Sequence, residues 1–202
     1  RKALVRSIKK YDLPLFEDKR QPVASQPLIC FVRNLLAVCS EGYNSDYIFR
    51  LIKTGLLGYG EKETAELENY VFVWDISGRQ WLKEFTMNPD GFGSVQGEKQ
   101  QEALGRINAV RKSVTDLITG VKEKISDSTG VKIAEDIYRF LRHSGADQRL
   151  KDYALLLEGQ GLSDLATEQE QVWDILMEIL DDLAQSLGDR PVSIKRFAQL
   201  FE

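Results

Sequence analysis

Apolar residues recur along most of this chain at intervals of three and four, the spacing that places them on one face of an α-helix. One such stripe begins after Pro27, which suits the first turn of a helix, and ends before Gly42, with Ser25 as the expected N-cap residue. Two long stripes follow at about 97–124 and 163–187. These patterns predict an all-α protein, an irregular bundle of about eight or nine helices.

Proline and glycine interrupt the helical pattern at two places. A short helix is predicted from Lys2 to Tyr11, and Pro14 then favours one short extended segment at 12–18, at most one in the chain. Residues 76–94 contain glycines and Pro89 together with large aromatic residues. That mixture is typical of an ordered, packed connector rather than of a flexible linker.

The composition is that of an ordinary globular protein, with 43% hydrophobic and 29% charged residues. No apolar run approaches the ~18–20 residues needed to span a bilayer, and no signal peptide opens the chain. We therefore expect a cytoplasmic protein without membrane contact. The chain begins at Arg1 rather than at Met, which suggests a segment excised from a longer protein.

Charge is unevenly distributed along the chain, although the net charge is only −4. Residues 1–60 carry ten Lys and Arg against five Asp and Glu, whereas residues 146–202 carry five against twelve. Because phosphate contacts need clustered cations, a DNA-facing surface is expected in the first third. The acidic last third suits a basic protein surface. Solvated helix faces are the alternative for both regions.

Few residues offer catalytic or metal-binding chemistry. His143 is the one histidine, and its position at a predicted helix end suits the helix dipole better than a catalytic role. Cys30 and Cys39 are separated by about 900° of helix rotation, so they point to opposite sides and form neither a disulfide nor a metal-binding pair. We predict no catalytic residue and no metal site in this chain.

Two segments imitate known sites. The turn Gly55–Gly60 nearly matches a phosphate-binding loop, but Glu61 occupies the place of the lysine and no strand precedes the turn. Residues 17–19 are similar to half of a metal-dependent nuclease centre, but no sheet with further carboxylates supports them. We favour a turn between two helices for the first and an exposed charged turn for the second. An independent nuclease that uses Glu17 is the opposing hypothesis.

Two blocks of sequence resemble known proteins. The first, at 6–20 and 26–36, consists of RSIKKYDLPLFEDKR and QPLICFVRNLL. It is similar to the stretch of superfamily 1 helicases in which a helix leads through an extended segment into the 2B subdomain. The second block, at 46–57, 67–71 and 78–81, consists of DYIFRLIKTGLL, LENYV and GRQW. In this order the motifs resemble the AddB/RexB family, the B subunit of bacterial ATP-dependent helicase–nucleases.

The resemblance implies a role in processing double-strand DNA ends for recombinational repair. It divides the chain into the end of a helicase 2A-like region with a linker, residues 1–24, and a helical 2B-like accessory domain, residues 25–202. In this family the ATP-binding motif, where present, precedes this region, and the nuclease motif and iron–sulfur cysteines follow it. The parent protein, a hydrolase, would therefore use ATP, Mg²⁺ and an iron–sulfur cluster, while this segment would hold no cofactor and would not itself be an enzyme.

By the same resemblance, the segment would guide duplex or forked DNA or would scaffold the complex with the partner A subunit. The candidate DNA-contacting residues are Arg50, Lys53, Thr54, Gly55, Lys62, Arg79 and Trp81. The structural alternatives are that the glycines merely join two helices, and that Tyr70 and Trp81 belong to the core. The alternative function is an acidic helical adaptor domain with no direct DNA contact.

Overall fold

The computed structural model describes residues 23–93, 97–126 and 128–202. The all-α class is confirmed, with eight α-helices and two short 3-10 turns, Val23–Ser25 and Gly78–Leu82, in these ranges. The helices are α1 (Pro27–Glu41), α2 (Ser45–Ile52), α3 (Glu61–Val73), α4 (Glu98–Ile125), α5 (Gly130–His143), α6 (Ala146–Gly159), α7 (Ser163–Leu187) and α8 (Ile194–Phe201). The helix predicted at 2–11, the extended segment at 12–18 and residues 17–19 lie outside the described residues.

Helix α1 is central to the bundle because it is apolar almost all round. Its side chains are largely buried, and it contacts α2, α4, α7 and α8. The N-cap residue is Gln26 rather than the predicted Ser25, since Val23–Ser25 closes a 3-10 turn and the helix begins one residue later. The Gln26 side chain makes no cap. Its Oε1 accepts a hydrogen bond from Gln169 Nε2 of α7 at 3.2 Å.

Polar side chains and glycines set the ends of several helices. The side chains of Asn44 and Ser193 accept hydrogen bonds from the backbone N–H groups at the start of α2 and α8. Gly42 and Gly188 follow the last residues of α1 and α7. Of the helices in the described ranges, none is both long enough and apolar enough to cross a membrane.

A short antiparallel ribbon joins the beginning of α5 to the end of α7. Its strands are β1 (Ser128–Thr129) and β2 (Pro191–Val192), with Ser128 opposite Val192. The sequence did not predict this pairing, because two residues are too few to show an alternating pattern. Gly130 follows β1, and a Cβ at this position would collide with Leu187 of α7. The absence of a side chain therefore permits the close approach of the two helices.

The connector between α3 and α4 is packed, as predicted. Trp81 is fully buried and Phe85 nearly so. Trp81 Nε1 donates to Ser45 Oγ at 2.9 Å, and the Trp81 carbonyl accepts a hydrogen bond from Arg111 Nη1 at 2.9 Å. The Arg111 guanidinium also lies 5.4 Å from the ring centroid of Phe85. These contacts fasten the connector to the long helix α4.

Candidate nucleic-acid interface

The turn between α2 and α3, residues 53–60, contains three of the seven predicted DNA contacts, Lys53, Thr54 and Gly55. Its backbone donors are largely used within the turn itself. The hydrogen bonds are Lys53 N to Phe49 O at 2.8 Å, Gly55 N to Ile52 O at 3.1 Å, Gly58 N to Gly55 O at 3.1 Å and Gly60 N to Glu63 Oε2 at 3.0 Å. A phosphate would have to compete with these bonds. The geometry favours the alternative that the glycines join two helices.

The polar side chains of this turn are also partnered or surrounded by acids. Lys53 Nζ lies 2.5 Å from Glu68 Oε1, and Thr54 Oγ1 donates to the Leu51 carbonyl at 2.7 Å. Lys62 is exposed on the first turn of α3, next to Glu61 and Glu63. Since carboxylates repel phosphate, the turn offers DNA little net attraction.

Arg149 of α6 fixes the turn from the other side, a role that the sequence did not suggest. Its Nη1 donates to the Leu56 carbonyl at 3.1 Å and to the Ser144 carbonyl at 2.6 Å. The guanidinium packs against Gly58, whose φ of 76° lies in the left-handed region. This cation therefore serves the fold rather than an external anion.

Arg50 and Arg79 lie in two adjoining surface depressions at the C-terminal end of α1. The first, of about 610 Å³, lies between α1, α2 and α8, and the second, of about 620 Å³, lies around Tyr43. Both include Ser40 and Glu41, so they form one continuous surface. We call it the cationic face. Its basic residues are Arg33, Arg50, Arg79, Lys122 and Lys195.

The cationic face has an excess of positive charge. Among its described lining residues, the five cations face two carboxylates, Glu41 and Glu202. Glu41 accepts a hydrogen bond from the Tyr47 hydroxyl, and this bond raises the pKa of that phenol above its ordinary value. One of the two carboxylates therefore already has a partner. Lys122 Nζ lies 5.8 Å from the ring centroid of Tyr43, and the Tyr43 hydroxyl lies 2.6 Å from Thr119 Oγ1. These contacts hold one wall of the depression in place.

The sequence identified Arg50 and Arg79 but missed the other three basic residues of this face. Arg33, Lys122 and Lys195 belong to α1, α4 and α8, which are far apart in sequence. Seven of the ten cations of residues 1–60, on which the prediction of a basic first third depended, lie outside the described residues. The charge of the cationic face is instead assembled by the packing of helices.

Trp81 does not belong to any surface. Its side chain has 0% exposure and that of Tyr70 has 1%, so both residues belong to the hydrophobic core. A ring so completely enclosed has no face on which a base could stack. Trp81 is therefore not accessible to DNA in this fold.

The remaining chemical groups are isolated from one another. His143 is exposed at the last residue of α5, where the sequence placed it. Cys30 and Cys39 are both free thiols, and burial raises the pKa of Cys39 to about 12. Within the described ranges, no group of three or more His, Cys, Asp and Glu side chains could hold a metal ion.

Comparison with known proteins gives consistent matches to one protein, the B subunit of an ATP-dependent helicase/deoxyribonuclease. The chain is 30% identical, over 98% of its length, to this protein of Clostridioides difficile (strain 630). It is 28% identical, over 96% of its length, to the proteins of the same name from Clostridium botulinum (strain Loch Maree / Type A3) and Ruminiclostridium cellulolyticum. The chain spans about 17% of the length of these relatives. No family model matches it.

Proposed function

We propose that this chain is a noncatalytic accessory region of the B subunit of an ATP-dependent helicase/deoxyribonuclease. It is homologous along nearly its whole length to a segment of such proteins. The homology confirms the family resemblance and carries this proposal. The finer assignment to a 2B-like region, with a boundary at residues 24 and 25, remains a prediction. The region would act in double-strand DNA end processing by guiding DNA or by scaffolding the complex. ATP, Mg²⁺ and an iron–sulfur cluster would belong to other parts of the parent protein.

The cationic face is the surface that best supports DNA guidance. Arg50, Arg79 and Lys195 are exposed on it, and the excess of cations suits a sequence-independent contact with phosphates. The α2–α3 turn is the weaker candidate, because Lys53 is paired with Glu68 and the backbone donors are used internally. We therefore propose Arg50 and Arg79 as DNA contacts ahead of Lys53, Thr54, Gly55 and Lys62.

Charge reversal in the complete parent protein, assembled with its A subunit, tests this proposal. Arg50→Glu with Arg79→Glu is expected to weaken binding to duplex ends by about tenfold or more. Lys53→Glu with Lys62→Glu removes the same number of cations at the turn and is the matched control, with an expected effect below about threefold. Unchanged DNA-end binding after charge reversal of both pairs would contradict a DNA-guiding role.

An acidic adaptor that contacts the A subunit is the second candidate function. Residues 146–202 carry five cations against twelve carboxylates, and several leucines of α6 and α7 are exposed. Neutralising Asp181 and Asp182 should then weaken subunit association while DNA binding persists. Unchanged association would speak against a broad electrostatic contact through α7.

A further inference from the structure

A groove between α6 and α7 has the properties of a protein-binding surface. It has a volume of about 490 Å³, and its floor and walls are largely apolar. Leu150, Ala154, Leu155 and Trp173 supply the apolar surface, and Leu155 is 64% exposed. Further exposed leucines, Leu156, Leu162 and Leu165, lie at the same end of this helical hairpin. An apolar surface of this kind in a globular protein commonly marks an interaction site.

One buried polar atom lacks a partner in this groove. Gln169 is only 6% exposed, and its Nε2 donates to Gln26 Oε1. Its Oε1 makes no hydrogen bond with the described residues. A buried acceptor without a donor costs roughly 1–3 kcal/mol. Because this oxygen is itself enclosed, a bound segment removes this cost only if the Gln169 side chain turns towards the groove.

The charges around the groove indicate the chemistry of the occupant. Helix α7 carries seven Asp and Glu residues and no Lys or Arg along its 25 residues. Of these, Glu170 and Asp174 line the groove. Asp147 is neutralised by its ion pair with Arg142, and Lys151 on α6 is the other cation of the lining. The α7 wall therefore attracts a basic segment with apolar side chains.

We propose that this groove binds a basic amphipathic helix of the partner A subunit. Apolar side chains of that helix would cover Leu155 and Trp173, and its lysines or arginines would face Glu170 and Asp174. This inference rests on the scaffolding part of the proposed function. It differs from a broad electrostatic contact because it names one groove and requires both apolar and basic complementarity.

Site-specific crosslinking identifies the occupant. A photoreactive benzoylphenylalanine replaces Leu155 in the complete parent protein, which is then mixed with the A subunit. The same residue replaces the exposed Glu178 as the control on α7, outside the groove lining. The expected crosslink from position 155 is to an A-subunit segment with apolar residues at helical spacing and several Lys or Arg. A crosslink to a second copy, to residues 1–22 of this chain or to an acidic segment overturns the proposal.

A peptide of defined composition separates failure of the groove from failure of the proposed function. The probe is a leucine–lysine amphipathic helix of about 18 residues, or five turns, with a leucine–glutamate peptide as its counterpart. Glu170→Lys with Asp174→Lys should weaken binding of the basic peptide by about tenfold or more, as should Leu155→Asp. Glu178→Lys with Asp189→Lys is the matched control, since both residues are exposed and lie outside the groove lining.

Each outcome of these two experiments has a separate meaning. Equal loss of peptide binding in both charge-reversed pairs overturns the groove as a specific site. If the basic peptide binds through the groove but the A subunit does not associate at all, the A subunit is not the occupant and the scaffolding role is overturned. The DNA-guiding role is tested separately and is unaffected by this result. Circular dichroism of each variant confirms that the helices are retained.

Discussion

The guanidinium of Arg149 occupies the space that a side chain at Gly58 would need. The arginine belongs to α6, and it donates to the Leu56 carbonyl 93 residues earlier in the chain. Because its Nη1 also donates to the Ser144 carbonyl, one side chain connects the α2–α3 turn with the α5–α6 corner. The shape of the glycine-rich turn is therefore set by a distant helix as well as by its own sequence.

Substitution of two glycines in this turn should have different effects on stability. Gly55 and Gly58 have nearly the same φ, 78° and 76°, but a Cβ at Gly55 would have no neighbour within 4 Å. Gly55→Ala should lower the free energy of unfolding by about 1 kcal/mol, the cost of the left-handed conformation. Gly58→Ala should cost about 1–3 kcal/mol more, because it also displaces Arg149. Urea unfolding followed by circular dichroism measures the free energy of unfolding of both variants. Equal losses of stability would contradict the contact between Gly58 and Arg149.

Two arginines of α4 should contribute unequally to stability. Arg111 is 8% exposed, and its guanidinium donates to the Trp81 carbonyl and to Asn108 Oδ1. Arg111→Met keeps most of the side-chain volume but leaves the buried Trp81 carbonyl without its donor. Asn108 Oδ1 still accepts from the Phe85 N–H, so we expect a loss of about 1–3 kcal/mol. Arg106→Met is the control on the same helix. It removes the exposed ion pair with Glu66 and should cost less than about 1 kcal/mol.

The pH dependence of stability should report the burial of Cys39. Because burial raises the pKa of this thiol from 9.0 to about 12, the unfolded chain ionises it at lower pH than the folded protein. The corresponding stabilisation is complete below pH 9 and declines as the pH rises towards 12. Between these pH values the free energy of unfolding should fall by up to about 1.4 kcal/mol per pH unit.

A Cys39→Ala variant isolates this contribution. The buried tyrosines also titrate at alkaline pH, but they are common to both proteins and cancel in the comparison. Free energies of unfolding at pH 7.5 and 10, under reducing conditions, should fall more steeply for the wild-type protein than for the variant. Identical slopes would show that the thiol is not enclosed as described.

The sequence predicted the longer helices well because an apolar stripe runs along them, and several helix ends carry a polar cap or a glycine. Asn44, Ser193 and Gly188 are local signals, and their roles follow from a few neighbouring residues. The family resemblance was detectable for the same reason, since its motifs are short ordered runs. The ribbon at 128–129 and 191–192 was not predictable, because it depends on the approach of α5 to α7.

The candidate site was less predictable than the fold. Arg50 and Arg79 stood in recognisable motifs, but their basic neighbours come from helices that meet only in the folded chain. The motif at 78–81 also suggested Trp81 as a contact, whereas packing against Ser45 and Phe49 encloses it. Sequence spacing thus located the region but could not separate its exposed cations from its core.

The exposed ion pair of the turn should be nearly neutral in both stability and DNA binding. Lys53 and Glu68 retain 52% and 41% of their side-chain exposure. Lys53→Ala should therefore lower the free energy of unfolding by less than about 1 kcal/mol. Its affinity for forked DNA should stay within about twofold of the wild-type value, since Glu68 already offsets the charge. A larger loss of DNA affinity would restore the turn as the principal contact.

The most direct test of the DNA-guiding proposal is the salt-dependent affinity of this chain for a forked duplex, measured by fluorescence anisotropy. Arg50→Gln with Arg79→Gln should weaken binding by about tenfold and lower the slope of log affinity against log salt by about two. Lys99→Gln with Lys132→Gln removes two exposed cations outside the cationic face and should leave both quantities nearly unchanged. Equal losses for the two pairs, or an affinity independent of salt, would contradict the cationic face as a DNA-guiding surface.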